Sequence, residues 1–240
     1  MRLGDSNVTN FAQWRQELEQ AHQHDGPHGA IAAALNSSTG HRAVVLTSFG
    51  AESAVLLKLV ADVDPGAPVV FLETGKHFAS TLAYVKTVTD RLALTNVRSP
   101  HPDPDVIKTS DPEGDLYARD PDRCCFLRKV LPLRDALAGF DGYISGRKRF
   151  QAETRQDLSL STLVDDKLQI NPLVDWSEDD IDAAFERWNL PHHPLRVDGY
   201  RSIGCAPCTA KPVNGEQRAG RWPGFEKTEC GIHESYFDNF

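Results

Sequence analysis

Five cysteines form a pattern rather than a scatter: Cys124 and Cys125 are adjacent, Cys205 and Cys208 enclose two residues, and Cys230 stands alone. Thiolates ligate zinc and iron–sulfur clusters, and four of them complete either. Two pairs and one remainder predict a metal centre plus a separate reactive thiol. Structural zinc ordinarily takes spaced pairs at both ends. Adjacent side chains at 124 and 125 diverge, which suits ligation of different irons in a cluster better than one tetrahedral ion, although spacing alone leaves zinc open. Cys230 lies in Glu229-Cys230-Gly231-Ile232-His233-Glu234. A lone cysteine is more often an inert packing residue. Here His233 and the upstream Arg218, Arg221 and Lys227 would stabilise a thiolate, and the polar, glycine-flanked context argues against burial for packing.

Three further stretches carry chemistry. Ser48-Phe49-Gly50-Ala51-Glu52-Ser53 follows a β-branched run and precedes an apolar segment. A glycine there lets backbone amides approach an anion at a helix N-terminus, yet the same residues make an ordinary turn, and the G-K-[ST] ending of a Walker loop is missing. Glu73-Thr74-Gly75-Lys76 ends the next such run, where a base or ribose would be held. Arg147-Lys148-Arg149 through Thr154-Arg155 follows Gly-Tyr-Ile-Ser-Gly and reads as an anion clamp or as a solvated basic turn.

These stretches need a scaffold. Residues 43–48, 69–74, 94–98 and 142–145 read as buried strands, and 53–63, 79–92 and 176–188 as helices, the last with Ser177 as N-cap. Residues 11–24 read as an amphipathic helix followed by a Gly/Ala/Ser stretch. Alternating strands and helices predict an α/β fold, a parallel sheet with helices on both faces. Its ligands sit beyond the carboxyl ends of the strands. From about Pro191 the chain turns rich in Pro, Gly, Arg and Cys. The division expected is an N-terminal helical extension (1–40), a nucleotide-binding α/β unit (41–203) and an irregular, lid-like segment (204–240) that belongs to the same domain.

The net charge of −8 argues against a general nucleic-acid binder. No apolar run approaches the ~20 residues that span a bilayer, and the N-terminal residues lack the pattern of a secretory signal. A cytoplasmic protein is expected, without membrane partner, and a homo-oligomer is compatible with the sequence.

Taken together, Ser48 to Glu52, ETGK at 73–76, CCFLRK at 124–129, SGRKRFQAETR at 145–155 and IGCAPCTAKPVNGEQRAGRW…ECGIHE resemble the assimilatory adenylyl-sulfate and phosphoadenylyl-sulfate reductases over about residues 41–235. The resemblance implies an adenine-nucleotide α-hydrolase-like fold of the PP-loop type, and a place in sulfate assimilation and cysteine biosynthesis. It implies that adenylyl sulfate is reduced to sulfite and AMP through an S-sulfocysteine on Cys230, resolved by thioredoxin or a similar dithiol. His233 would stand beside the nucleophile. Lys129, Arg147, Arg155, Arg218 and Arg221 would clamp the anionic group; Ser48, Phe49, Gly50, Glu52, Glu73, Thr74 and Gly75 would hold the nucleoside end. Cys124, Cys125, Cys205 and Cys208 would hold a [4Fe–4S] cluster, which marks the branch that uses adenylyl sulfate. Glu73 departs from the family's more usual Asp. Competing readings are a reductase of the 3′-phosphorylated substrate, an ATP-dependent PP-loop enzyme with structural zinc, and a non-enzymatic Fe–S sensor.

Overall fold

The computed structural model describes residues 5–212 and 217–233, and side chains from residue 11 onward. Residues 213–216 of the C-terminal signature and Glu234 of the last motif lie outside that range. Six strands form one sheet: β1 (Ala43–Thr47), β2 (Val69–Phe71), β3 (Val97–Arg98), β4 (Gly142–Ser145), β5 (Ser161–Val164) and β6 (Lys167–Ile170), in the order β3-β2-β1-β4-β6-β5. β1 pairs in parallel with both β2 and β4, β2 with β3, and β4 with β6; β5 is antiparallel to β6. Between β1 and β4 the strand order reverses, and a crevice opens there at the carboxyl ends, the usual ligand position on such sheets.

Every residue of β1 and β4 is buried, as central parallel strands covered on both faces require. Strand alternation divides the core. Val45, Val69, Phe71 and Ile144 pack with α1 (Asp5–Leu35), α2 (Ser53–Val63), α3 (Ala79–Arg91) and, across a connection of short helices, α8 (Glu178–Arg187). Val44, Leu46, Val70 and Tyr143 face the other way, against Leu133 of α7 (Leu131–Ala136). The intervening short helices are α4 (Pro104–Ser110), α5 (Leu116–Arg119) and α6 (Pro121–Cys125). No helix among the described residues is long and apolar enough to cross a membrane.

Several elements differ from the sequence expectation. The Gly/Ala/Ser stretch after residue 24 is helical: α1 kinks at Asp25 and Gly26, restarts with Pro27 in its first turn and runs to Leu35. Its Trp14, Leu18, Ile31 and Ala34 join the main core. The strand expected over 94–98 shrinks to two residues, and that over 69–74 ends at Phe71. The β5–β6 hairpin was not expected at all. Ser177 does cap α8, in a reciprocal box with Asp180.

His193 is fully buried. Its Nδ1 accepts from the Leu195 amide at 3.1 Å and its Nε2 lies 3.0 Å from Thr81 Oγ1, so the ring is neutral with the proton on Nε2. Burial pushes its pKa down to about 4. The folded protein therefore binds fewer protons than the unfolded chain between about pH 6.5 and 4. Stability is fully present above that window and falls by about 3 kcal/mol through it. Urea unfolding across this range should show a shallower pH dependence in His193→Gln; identical slopes would contradict the assignment.

Candidate active site

The crevice is a cavity of about 210 Å³ between the loops after β1 and β4 and the C-terminal segment. Ser48, Gly50, Glu52, Lys129, Arg147, Arg155, Arg218, Arg221, Cys230 and His233 all border it. Residues distant in sequence thus converge because both central strands end at this edge.

Three amides of the loop after β1 are engaged within the loop itself. Phe49 N donates to Thr47 Oγ1 at 3.2 Å, Gly50 N to Ser53 Oγ at 2.9 Å, and Ser53 N to Gly50 O at 3.3 Å. Phe49 has a positive φ of 46° and its ring turns into the core, edge-on to Phe71. Its side chain therefore does not border the cavity, a correction to the sequence reading. Glu52 at the helix N-terminus pairs with the buried Lys148 ammonium at 2.8 Å and accepts from Gln151 Nε2 at 2.8 Å. Anion attraction in this cavity must come from the arginines opposite.

Glu73, Thr74 and Gly75 do not border the cavity either. Glu73 Oε1 accepts from Gly75 N at 2.8 Å, and Thr74 Oγ1 lies 3.3 Å from Cys205 Sγ. The next two residues continue the tie: Lys76 O accepts from Ala206 N at 2.7 Å, and His77 bridges Cys205. This loop is tied to Cys205-Ala206-Pro207-Cys208, because the carboxyl end of β2 lies beside that segment.

On the basic side, Arg155 is buried and grips Glu229 along one edge of its guanidinium, Nε to Oε1 at 2.6 Å and Nη2 to Oε2 at 2.9 Å. Arg218 Nη2 reaches the same Oε2 at 3.4 Å and the Thr228 carbonyl at 2.7 Å. Burial lowers the Arg218 pKa to about 10, and burial followed by Arg155 lowers that of Arg147. Although burial opposes it, Glu229 is held below the ordinary carboxylate range by its bonds to Arg155 and by Arg218 and Arg147. The Nε atoms of Arg147, Arg218 and Arg221 are buried without a hydrogen-bond partner among the described residues. Such donors beside a cavity suit an anion. Arg149, by contrast, is exposed and pairs with Asp175 away from the cavity. Arg149→Ala should leave turnover within about twofold, as expected of a surface ion pair, whereas a loss comparable to Arg147→Ala in the same assay would contradict this placement.

His233 is held by Tyr143 Oη at 3.1 Å from its Nδ1, and its carbonyl accepts from Gln169 Nε2 at 2.7 Å. Burial, and then Arg147, Arg155 and Arg218, drive its pKa well below the usual histidine range, so it is neutral. Ile232 packs on the α7 side of the core. The tail is thereby docked across the cavity with Cys230 half-buried at its edge.

Cys125, Cys205 and Cys208 form a buried cluster with Trp222, against which Tyr117 and Cys230 pack. Cys124, also buried, interacts electrostatically with all three. The chain passes directly from α6 into a π-helical turn, Phe126–Val130. Such turns recur at functional sites, and this one carries Lys129 to the cavity wall. Burial pushes the Cys124 thiol up to about 12 and the Cys125 thiol up to about 11. For Lys129, burial opposes the charge, and thiolates at Cys205, Cys125 and Cys230 outweigh it, raising its pKa. Sulfur anions and this ammonium therefore favour one another. Among the described residues no three Cys, His, Asp or Glu side chains are gathered as one metal ion requires; a single-ion site is not preformed.

Glu229, Gln151, Gln169, Tyr143 and Trp222 escaped the sequence reading as site residues. Glu229 was visible beside Cys230, but an acid gave no reason to expect it inside an arginine cluster. Trp222 offered a faint signal, as a tryptophan in a Cys/Arg-rich tail; both Arg218 and Arg221 stack on it, with guanidinium carbons 5.6 and 4.5 Å from the ring centroid.

Residues 42–211 match the model of the phosphoadenosine phosphosulfate reductase domain. An adenosine 5′-phosphosulfate reductase of Chelativorans sp. (strain BNC1) is 42% identical over 90% of this chain and 89% of its own length. One of Bacillus subtilis (strain 168) is 38% identical over 88% and 93% respectively. Among solved structures, a phosphoadenylyl-sulfate reductase from Candida auris superposes with a TM-score of 0.67 at 21% identity, covering 81% of this chain and 97% of that one. FMN adenylyltransferase of Candida glabrata gives 0.56 at 16%, covering 95% and 88%. These likenesses show the fold.

Proposed function

We propose that this chain, which belongs to the phosphoadenosine phosphosulfate reductase family and is an oxidoreductase, reduces adenylyl sulfate to sulfite and AMP. The observation that carries the reading is the meeting of Cys230 with Arg147, Arg155, Arg218 and Lys129 around one cavity. A thiolate approaching an anionic sulfuryl group is repelled, and cations fixed beside the reacting atoms offset that repulsion at no reorganisation cost. The Cys230 thiolate attacks the sulfur; a C–S–S bond forms, the sulfur–oxygen bond to the phosphate breaks, and AMP leaves with the electron pair. Arg155, Arg218 and Arg221 stabilise that charge. In the second stage a thiolate of an external dithiol, thioredoxin or similar, attacks Cys230 Sγ and expels sulfite. Its second thiol then regenerates Cys230, so the dithiol supplies the two electrons that reduce sulfate sulfur. His233, fixed by Tyr143, is neutral and leaves stabilisation of the thiolate to the arginines and Lys129. Ser48, Gly50 and Ile203 border the end of the cavity left for the nucleoside.

Cys124, Cys125, Cys205 and Cys208 would hold a [4Fe–4S] cluster. Four buried thiols next to Lys129 and Trp222, with burial raising the pKa of Cys124, Cys125 and Cys208, fit a group that imposes its own positive charge on them. When bound, it would supply an electrostatic field on the Lys129 side of the cavity. Chain residues account for the electron flow without it. Iron and acid-labile sulfide in near-equal amounts, with loss of both in Cys205→Ser, are expected on anaerobic purification; stoichiometric zinc would support a structural metal instead.

The test of substrate is turnover with a dithiol donor on adenylyl sulfate and, separately, on its 3′-phosphorylated form. Preference for adenylyl sulfate by kcat/KM is expected. Preference for the 3′-phosphorylated form would retain the chemistry and reverse the substrate.

A further inference from the structure

The arginine seat described above is already filled. Glu229 lies fork-to-fork on Arg155, shares an oxygen with Arg218, and leaves Arg155 Nη1 to Gln151 Oε1. The Nε/Nη2 edge of that guanidinium is thus engaged by a side chain of the tail. A sulfate or phosphate oxygen pair needs the same planar fork, so Glu229 and an anionic ligand exclude one another there.

We propose that Glu229 is an internal counter-anion: it holds the Arg155–Arg218 seat against the anionic group of the substrate, which enters by displacing it and so re-aims the neighbouring Cys230. This rests on the proposed function for the identity of the ligand, but the competition itself does not. Charge favours the exchange, because Arg147, Arg155 and Arg218 all act on the Glu229 carboxylate and, among the described residues, the Nε atoms of Arg147 and Arg218 are still unpartnered. Connectivity makes it consequential. Glu229 and Cys230 are consecutive, so moving the carboxylate off the fork rotates the backbone that carries the thiol. Gly231, at φ 76°, supplies a joint on the far side. The flanks are tied independently, by Lys227 to Asp122 before the exchange site and by Ile232 and the His233 carbonyl after it. Displacement is then a local rearrangement of residues 228–231 that leaves the tail docked. Glu229 is a positioning residue by this account.

The distinguishing sign is a gain of affinity with a loss of stability. Glu229→Gln removes the competing charge and also strands buried arginines. In a Cys230→Ser background, calorimetric titration with inorganic sulfate and, separately, adenylyl sulfate should show Kd lower by about tenfold in the Glu229→Gln protein, the worth of one charge-assisted hydrogen bond. Urea unfolding of the same protein should move to lower concentration. A merely structural tie would lower both stability and affinity. Unchanged or weaker binding of sulfate and adenylyl sulfate in the variant overturns the counter-anion while leaving the substrate reading intact. Tighter sulfate with no adenylyl sulfate binding in either protein keeps the counter-anion and removes that substrate. Should Glu229→Gln not fold, Glu229→Asp, which retains the charge and shortens the reach, is expected to shift affinity in the same direction by less, and no shift overturns the proposal.

Discussion

Cys230→Ser should abolish sulfite formation, a fall of about 10⁴-fold or more, while the protein still binds adenylyl sulfate and unfolds at the same urea concentration. A serine hydroxyl is scarcely ionised where a thiol is partly so, and it cannot form the bond to sulfur that a dithiol later cleaves. The sulfur contributes little to packing, because the residue is half-buried at the cavity edge. Paired measurement of sulfite release and of binding by calorimetry checks both halves. Undiminished turnover in the serine variant would place the chemistry elsewhere and favour a binding or sensing role for the fold.

Arg155→Ala carries the second large effect. Its guanidinium is buried and holds Glu229 in a two-point pair. Removing it leaves a carboxylate without its main partner, at about 3 kcal/mol of stability, and takes a preorganised cation from the reacting group, at about 10²- to 10³-fold in kcat/KM. Arg155→Lys should restore stability better than activity, since the charge remains and the planar fork is lost. Steady-state kinetics with denaturation of the same samples separates the two. Arg155→Ala turning over within about threefold of the parent while losing stability would make this residue a tie for the tail and nothing more.

β1 and β2 were legible because they are short, largely β-branched runs, the mark of strands covered on both faces. The β5–β6 hairpin was not. Thr162 and Leu163 are exposed, so its apolar signal is diluted, and it turns through Asp165 at φ 52° rather than through a glycine. The short helices between residues 104 and 136 begin at prolines or asparagine-like caps such as Asp103 and Asp120. They last too few turns to show a period. At the site, the cysteine pattern and the basic residues were readable from type and spacing. The tie of the loop at 73–77 to the Cys205 segment was not readable, because sequence order could not reveal that β2 ends beside Cys205. Glu229 was missed for a related reason: its partner Arg155 is 74 residues away, and only the docked tail brings the two together.

Anaerobically purified protein, incubated with adenylyl sulfate and no dithiol, then digested and mapped by mass, puts the central claim to its most direct test. A sulfonate adduct on the Cys230 peptide, released as sulfite on adding reduced thioredoxin, is the predicted result. Metal-replete protein that turns over adenylyl sulfate yet leaves Cys230 unmodified would contradict it.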